Sequence, residues 1–280
     1  MGHEIDFRNE NGGLIKRLTW STDLHFDAAD HAQFQIFFEL IIAHEPDFVL
    51  IGGDISNGIS SLTYLANLAN VIDKPFYFVF GNHDYYYGSI ALMRKAAKKM
   101  MEEMPQLHYL TDNGIIALSE KTALIGHDGW SDARAGDFLN SDVMLNDYFL
   151  IDELKRLTHE ERRVKLNELG DEAAQFLKKQ LTEALKNYER VVLLTHVPPF
   201  EESCLYEGVP AEGNWTPHFV GKATGDVLEA IMKQHPEKHL LVLCGHSHWG
   251  HEIQILPNLR VLTGHAELGI PNVQGLILIN

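Results

Sequence analysis

Residues 76–84, Phe76-Tyr77-Phe78-Val79-Phe80-Gly81-Asn82-His83-Asp84, join an apolar run to a polar turn. Aromatic and β-branched residues favour a strand over residues 76–80, and Pro75 precedes that strand. Gly81 then interrupts the run, and the next three residues carry an amide, an imidazole and a carboxylate. Such groups bind metal ions or transfer protons, so this turn is a candidate functional site.

Four other short motifs carry the same kinds of group, and three of them also follow an apolar run directly. They are, in order, Asp23-Leu24-His25, Gly53-Asp54, Thr195-His196 and Gly245-His246-Ser247-His248. Predicted helices alternate with the apolar runs, near residues 27–44, 61–72, 89–104 and 224–234. This alternation is typical of an α/β protein with buried parallel strands. Functional residues of such sheets gather beyond the carboxyl ends of the strands, so we expect the five motifs to meet there.

Seven side chains in the motifs are candidate metal ligands: Asp23, His25, Asp54, Asn82, His196, His246 and His248. Carboxylate and amide oxygens suit hard cations, whereas imidazole suits ions of the manganese, iron, nickel and zinc class. No cysteine belongs to the set, which argues against a closed structural zinc site. We therefore expect two divalent or trivalent transition-metal ions about 3.5–4 Å apart, with the Asp54 carboxylate between them.

The rest of the sequence fits a single domain spanning residues 1–280. From about residue 142 to 188 the pattern is helical and highly charged, with breaks near Thr158 and Gly170. This pattern indicates a helical insertion that packs on the rim of the domain. Residues 201–218 are rich in glycine, proline and polar residues, so they could form a lid loop over the site.

Composition limits the classes of partner and the compartment. The 280 residues carry a formal net charge of −16, which argues against a nucleic-acid partner because such proteins normally present a basic surface. No apolar run approaches the roughly 18 residues of a membrane span, and residues 1–9 lack the apolar core of a signal peptide. The two cysteines, Cys204 and Cys244, cannot form a disulfide framework. We expect a cytoplasmic protein without a membrane partner.

The order of the five motifs resembles that of the calcineurin-like metallophosphoesterases, and the likeness runs from Asp23 to His248. The resemblance implies a four-layer αββα sandwich, in which two mixed β-sheets lie between layers of helices. It also implies that one ion is held by Asp23, His25, Asp54 and His248. A second ion would be held by Asp54, Asn82, His196 and His246.

The same resemblance implies a mechanism of phosphoester hydrolysis. Two ions would lower the pKa of a water molecule, and the hydroxide so formed would attack phosphorus. His83 would protonate the leaving oxygen as general acid, and Asp84 would orient His83 and raise its basicity. His127 and Arg134 follow another predicted strand and are candidate substrate contacts, with Arg134 as a phosphate clamp. A structural loop is the alternative role for that pair.

Departures from better-known branches narrow the substrate class. Asn57 stands where purple acid phosphatases carry a tyrosine, and residues 54–58 lack the arginine found in protein Ser/Thr phosphatases. The motif order is similar to that of small bacterial-type members, including class III cyclic-nucleotide phosphodiesterases. We expect hydrolysis of a small soluble phosphoester, and we favour a diester because Arg134 is the only evident extra cation for a monoester. The alternatives are a nuclease or RNA-processing phosphodiesterase and a catalytically silent protein-binding scaffold. The oligomeric state stays open.

Overall fold

Two six-stranded sheets of mixed direction lie at the centre of the fold. The computed structural model describes residues 3–8, 13–211 and 213–280. The first sheet contains β1 (His3–Asp6), β2 (Lys16–Ser21), β3 (Phe48–Ile51), β4 (Phe76–Phe78), β5 (Leu107–Tyr109) and β14 (Gly275–Ile279). Their order is β1-β14-β2-β3-β4-β5, and the four strands from β2 to β5 are parallel.

The second sheet contains β6 (Ile116–Ala117), β7 (Thr122–Gly126), β8 (Arg190–Leu194), β11 (His239–Cys244), β12 (His251–Leu256) and β13 (Leu259–Thr263). Its order is β12-β13-β11-β8-β7-β6, with parallel inner strands and antiparallel edge strands. Two short strands, β9 (Leu205–Tyr206) and β10 (Val209–Pro210), pair as a hairpin within the stretch 201–218, where the sequence predicts an irregular loop.

Helices cover the outer face of each sheet. The helices are α1 (His31–Ala43), α2 (Ser60–Val71), α3 (Ile90–Glu103), α4 (Asp147–Leu150), α5 (His159–Asn187), α6 (Thr216–Phe219) and α7 (Lys222–Gln234). Side chains of a strand alternate between its two faces. Val49 and Ile51 accordingly pack with residues of α1 to α3, whereas Leu50 packs between the two sheets. Residues of α5 and α7 pack on the second sheet, so the predicted four-layer αββα sandwich is confirmed.

Helix α5 differs from the helical insertion expected over residues 142–188. It begins after Thr158, whose side chain forms a capping box with Glu161, but it continues through Gly170. A Cβ atom at Gly170 would collide with Asp132, so glycine allows the helix to approach that loop. Farther along, Leu177 belongs to the core shared with β7, β8 and β11. The helix is therefore part of an outer layer of the sandwich and not an insertion on its rim.

Two strands of the first sheet fall outside the predicted elements. The edge strand β1 pairs in parallel with β14 and buries Ile5. The three-residue strand β5 buries Leu107 and Tyr109 and pairs with β4. Segments this short contain too few residues to show a periodic pattern. Pairing with a neighbouring strand stabilises them more than their own propensity does.

The described part of the chain contains no helix with the length and hydrophobicity of a membrane span. Cys204 and Cys244 are both buried and free. Burial raises the pKa of each thiol to about 12. Both side chains therefore behave as small protonated apolar groups near neutral pH.

Candidate metal centre

Loops after strands of both sheets meet at one place. In the first sheet, β2 leads to Asp23 and His25, β3 leads to Asp54, and β4 leads to Asn82. In the second sheet, β8 leads to His196, and β11 leads to His246 and His248. The structure brings all seven predicted ligands into two overlapping groups, as expected for the carboxyl ends of parallel strands.

The loops have uncommon backbone conformations. Asp23, His25, Asp54, His246 and His248 have positive φ angles, between 42° and 70°. Residues other than glycine adopt this left-handed region at an energetic cost, and such strain is typical of functional sites. Contacts between motifs maintain it, since the backbone N–H of His25 donates to the carbonyl of Asp54 at 3.0 Å.

The first ligand group consists of Asp23, His25, Asp54 and His248. One ligand atom from each residue lies within 4.8 Å of the others. The Nε2 atoms of His25 and His248 are 3.1 Å apart, and His248 Nε2 is 3.3 Å from Asp23 Oδ1. Two imidazole nitrogens and two carboxylates that face one another at these distances form a suitable set of ligands for one borderline cation.

The second ligand group consists of Asp54, Asn82, His196 and His246. Asn82 Oδ1 lies 3.2 Å from His196 Nε2 and 3.0 Å from His246 Nδ1. Asp54 Oδ2 lies 3.4 Å from His196 Nε2 and 3.8 Å from His25 Nε2. The Asp54 carboxylate therefore belongs to both groups, in agreement with the bridging position predicted for it.

The protonation of the two imidazoles in the second group fits a cation. His196 Nδ1 lies 2.9 Å from the carbonyl oxygen of Gly52, and His246 Nε2 lies 3.2 Å from that of His218. A carbonyl oxygen only accepts hydrogen bonds, so these nitrogens carry the protons in the neutral rings. The other nitrogen of each ring then presents a lone pair to the amide oxygen of Asn82. Electron pairs that converge in this way favour a positive charge between them, which either a proton on His196 or a metal ion supplies.

The electrostatics of the site also favour positive charge. Burial raises the pKa of Asp54, but the imidazoles of His196 and His83 hold it well below its usual range. Burial lowers the pKa of His196, but the charge of Asp54 outweighs that effect and raises the pKa to about 10. In contrast, burial lowers the pKa of His246 to about 4. A carboxylate that stabilises a proton on a buried imidazole would stabilise a divalent cation in the same place.

The partner of His83 is not the one expected from the sequence. His83 Nδ1 lies 3.1 Å from Asn57 Oδ1, and Asn57 Nδ2 donates to Asp27 Oδ2 at 2.7 Å. Because Asp27 only accepts, the amide oxygen of Asn57 is the atom that faces His83. The His83 ring also packs on Tyr86, with 4.3 Å between ring centroids. Asn57 therefore has the orienting position that was predicted for Asp84.

Asp84 instead connects the loop after β3 with the loop after β4 by hydrogen bonds. Its Oδ1 atom accepts hydrogen bonds from the backbone N–H of Ile55 at 3.0 Å and from Ser61 Oγ at 2.5 Å. Its Oδ2 atom accepts from the backbone N–H of Gly81 at 2.7 Å. Burial and the nearby charge of Asp54 raise the pKa of Asp84 to about 7. The prediction that Asp84 orients His83 is wrong, since its oxygens contact the loop backbone.

His127 and Arg134 lie away from the ligand groups. His127 is buried, and its Nδ1 atom accepts a hydrogen bond from the backbone N–H of Gly129 at 3.1 Å. The Arg134 guanidinium pairs with Asp132 at 3.1 Å and with Asp171 at 2.8 Å. Neither residue lines the cavity beside the ligands. The alternative role is supported for this pair, because both side chains stabilise the loop after β7 and its contact with α5.

A cavity of about 330 Å³ opens beside the second ligand group. Its walls comprise Asp54, Asn82, His83, Tyr86, Leu145, Asn146, Asp147, Tyr206, Phe219, His246, Ser247, His248 and Trp249. Among these described lining residues there is no lysine or arginine. The hairpin of β9 and β10 and the turn α6 contribute one aromatic wall, which places part of the stretch 201–218 at the site. Its action as a lid stays a prediction.

Asp147 is a site residue that sequence reasoning missed. Its carboxyl is buried, and its Oδ1 atom accepts hydrogen bonds from Asn82 Nδ2 at 2.9 Å and from Tyr86 Oη at 2.7 Å. Burial raises the pKa of Asp147, although these two hydrogen bonds act in the opposite direction. No motif marks this residue, since it lies in a charged stretch that resembles any solvated helix. The sequence analysis noted Asn57 only because purple acid phosphatases carry a tyrosine at that position, and it did not predict the contact with His83.

Comparison with known proteins gives one family and a set of similar folds. The sequence profile of the calcineurin-like phosphoesterases matches residues 16–250, which include all five motifs. No curated protein sequence gave a significant match.

Among solved structures, a phosphopantetheinyl hydrolase from Mycobacterium tuberculosis is similar, with a TM-score of 0.63 and 14% identity. The match covers 90% of this chain and 89% of that one. A dimetal phosphatase from Danio rerio is similar with a TM-score of 0.59 and 13% identity, over 91% of this chain and 88% of that one. At such low identities the likeness concerns the fold, and it agrees with the four-layer sandwich.

Proposed function

The chain belongs to the calcineurin-like phosphoesterase family, and on that premise we propose that it hydrolyses a small phosphodiester with two bound divalent metal ions. The two overlapping ligand groups support a pair of ions that share the Asp54 carboxylate. When bound, such ions supply Lewis-acid chemistry, since they neutralise charge on phosphoryl oxygens and lower the pKa of water. The chain's own residues hold the ions, orient the substrate and supply a proton.

The observation that carries the diester proposal is the absence of lysine and arginine among the described residues that line the cavity. A phosphomonoester carries a second negative charge, which needs a further cationic contact. Arg134 was the candidate for that contact, but it pairs with Asp132 and Asp171 away from the cavity. A diester has only one negative charge, so the ions and neighbouring imidazoles can match it.

His83 is proposed as the proton donor to the leaving oxygen. Asn57 accepts the proton of Nδ1, because its own amide group is committed to Asp27. This arrangement leaves Nε2 for a substrate in the cavity that His83 lines. As proton donor the ring acts in its imidazolium form, gives the Nε2 proton to the leaving oxygen and remains neutral with its other proton on Nδ1. A positioned imidazole that protonates the leaving group contributes about 10²–10⁴-fold to the rate.

Two other functions receive less support. A nuclease would need a basic groove, and the net charge of −16 opposes one. A silent scaffold does not require metal ligands, yet all seven candidate ligands and His83 line one site. The −16 charge also supports a small substrate, because it repels polyanionic macromolecules.

The proposal is tested by comparing a diester with a monoester. Metal-free protein refilled with Mn²⁺ would be assayed on bis(p-nitrophenyl) phosphate and on p-nitrophenyl phosphate. We expect faster turnover of the diester and loss of that turnover in Asp54→Ala. Asp73→Ala, which removes an exposed carboxylate, is the matched control. A preference for the monoester would contradict the diester proposal, and silence on both substrates with two ions bound would favour the scaffold.

The role of His83 is tested by its dependence on the leaving group. A series of aryl phosphodiesters would be assayed with the wild-type protein and with His83→Ala. Phenols of high pKa need protonation as they leave, whereas p-nitrophenol does not. We expect the loss of kcat in His83→Ala to grow steadily as the pKa of the leaving phenol rises. A loss of the same size across the series would refute proton donation by His83.

A further inference from the structure

Two ligands of the second group depend on a segment of the chain that contributes no ligand itself. Residues 141–148, which we call the support segment, precede α5 and lie outside all five motifs. One of its residues contacts Asn82, and two others contact His218, whose carbonyl oxygen contacts His246. Three candidate ligands belong to the second group alone, namely Asn82, His196 and His246. The support segment acts on two of them, Asn82 and His246.

The first contact fixes the amide of Asn82. Asp147 Oδ1 accepts a hydrogen bond from Asn82 Nδ2 at 2.9 Å, and Tyr86 Oη lies 3.3 Å from the same nitrogen. A carboxylate accepts and does not donate, so the amide NH₂ must face Asp147. The amide oxygen then faces His196 Nε2 and His246 Nδ1. Without Asp147, rotation of the amide could direct its NH₂ group toward the ion.

The second contact fixes the ring of His246. Its Nε2 atom lies 3.2 Å from the carbonyl oxygen of His218. The imidazole of His218 is held by the support segment, with Ser141 Oγ at 2.9 Å from Nε2 and Tyr148 Oη at 2.5 Å from Nδ1. All three of these residues are buried. The support segment therefore determines the direction of the His246 lone pair as well as that of the Asn82 oxygen.

We infer that the support segment sets the affinity of the second metal ion, and that Asp147 is its positioning residue through Asn82. This inference rests on the ligand set of the proposed function but not on the identity of the substrate. Contacts to metal ligands from surrounding residues change metal affinity by about 10–100-fold when they are removed. Among the described residues, Asp147 makes no hydrogen bond to a residue of the first ligand group, although its charge acts on Asp54, which both groups share. The ion of the first group should therefore lose much less affinity than the ion of the second group.

Equilibrium dialysis against Mn²⁺, with bound metal measured by atomic emission, tests this inference without an activity assay. We expect two bound ions in the wild type. In Asp147→Ala, the affinity for one ion should fall by about 10–100-fold while the other ion is retained. Asp147→Asn keeps an oxygen acceptor for Asn82 Nδ2 and Tyr86 Oη, so it should restore most of the lost affinity. Asp152→Ala, an exposed carboxylate in a neighbouring turn, should bind both ions normally.

The outcomes separate this inference from the proposed function. Two ions bound with wild-type affinity in Asp147→Ala would overturn it, and so would an equal loss of both ions in a folded Asp147→Asn protein. Asn82→Ala sets the full loss expected for the second ion. If Asn82→Ala also binds two ions normally, the ligand set is wrong. If selective loss occurs in protein that hydrolyses no phosphodiester, the inference stands and the substrate proposal fails.

Discussion

The two ligand groups of the candidate metal centre are held in different ways. In the first group, the motifs hold one another: the Asp23 carboxylate accepts hydrogen bonds from Thr22 Oγ1 at 2.7 Å and from the backbone N–H of His246 at 2.9 Å. In the second group, Asn82 is oriented by Asp147, which lies 65 positions away in the sequence. His246 likewise directs Nε2 to a carbonyl outside the motifs.

This difference separates what the family motifs provide from what this chain adds. The first group forms once the ends of β2, β3 and β11 come together, because its hydrogen-bond partners lie in the same motif loops. The second group also requires residues 141–148 and the turn α6 to be in place. The affinity of the second ion can therefore change through residues that no motif contains.

A change that reaches both groups should have the largest effect. A Cβ atom at Gly81 would lie 2.6 Å from the backbone nitrogen of Asp54 and 2.6 Å from His196 Cε1. Because Asp54 serves both groups, we expect Gly81→Ala to lose both ions and to reduce diester hydrolysis by about a thousandfold or more. Mn²⁺ content after dialysis is the measurement. Gly114→Ala, where nothing lies within 4 Å, is the matched control. Normal binding of both ions by Gly81→Ala would contradict the expected displacement of Asp54 and His196.

A change that acts mainly on the first group should weaken one ion more than the other. A Cβ atom at Gly245 would collide with the Asp23 carboxylate and with the Thr22 hydroxyl. We expect Gly245→Ala to weaken the first ion by about 10–100-fold and the second ion by less, because the displaced Asp23 also holds the backbone N–H of His246. Combination with Asn82→Ala should remove both ions, which identifies the ion that each variant affects. The separation of the groups would be disproved by a Gly245→Ala protein that binds neither ion.

A change beside the metal groups should affect the reaction but not the ions. Asn57→Leu removes the acceptor for His83 Nδ1 while it keeps a side chain of similar size. We expect kcat for a poor leaving group to fall about tenfold, a fraction of the 10²–10⁴-fold contribution of a general acid, with KM little changed. Dialysis should still give two Mn²⁺ ions per chain. Loss of metal in this variant would indicate that Asn57 supports the ligand loops instead.

The smallest effect is expected at Arg134, which the sequence suggested as a phosphate clamp. Its guanidinium is paired with Asp132 and with the half-exposed Asp171. We expect Arg134→Gln to leave kcat, KM and both ions unchanged. The free energy of unfolding, measured with urea, should fall by about 1–3 kcal/mol, since the buried Asp132 carboxylate loses a charged hydrogen-bond partner. A several-fold rise in KM would return Arg134 to the substrate site.

The sequence predicted which candidate ligands would converge, but it did not predict the contacts that support them. All seven candidate ligands converge, because each follows a strand whose carboxyl end lies at the same edge. The partner of His83 was misassigned, because adjacency to Asp84 in the sequence does not place the two side chains in contact. The cause of this error is geometric, because Asn57 lies 26 positions from His83 in the sequence and reaches it from a neighbouring loop.

The fold shows the same division. The strand predicted over residues 76–80 is observed as β4, Phe76–Phe78, since a continuous apolar run is visible locally. The path of α5 was not predicted, because Gly170 reads as a break until its close approach to Asp132 is known. The edge strand β1 exists because β14, at the opposite end of the chain, pairs with it.

The sequence by itself determined the α/β class, the types of candidate ligand and the expectation that Asp54 is shared, because strand patterns and donor chemistry are properties of short segments. The tertiary structure alone decided that Asn57 orients His83, that Arg134 lies outside the cavity and that Asp147 holds Asn82. Each of these contacts joins side chains from different elements, and its existence depends on distances of a few ångströms between them. Local pattern fixes which groups a loop carries, whereas packing fixes which group each of them meets.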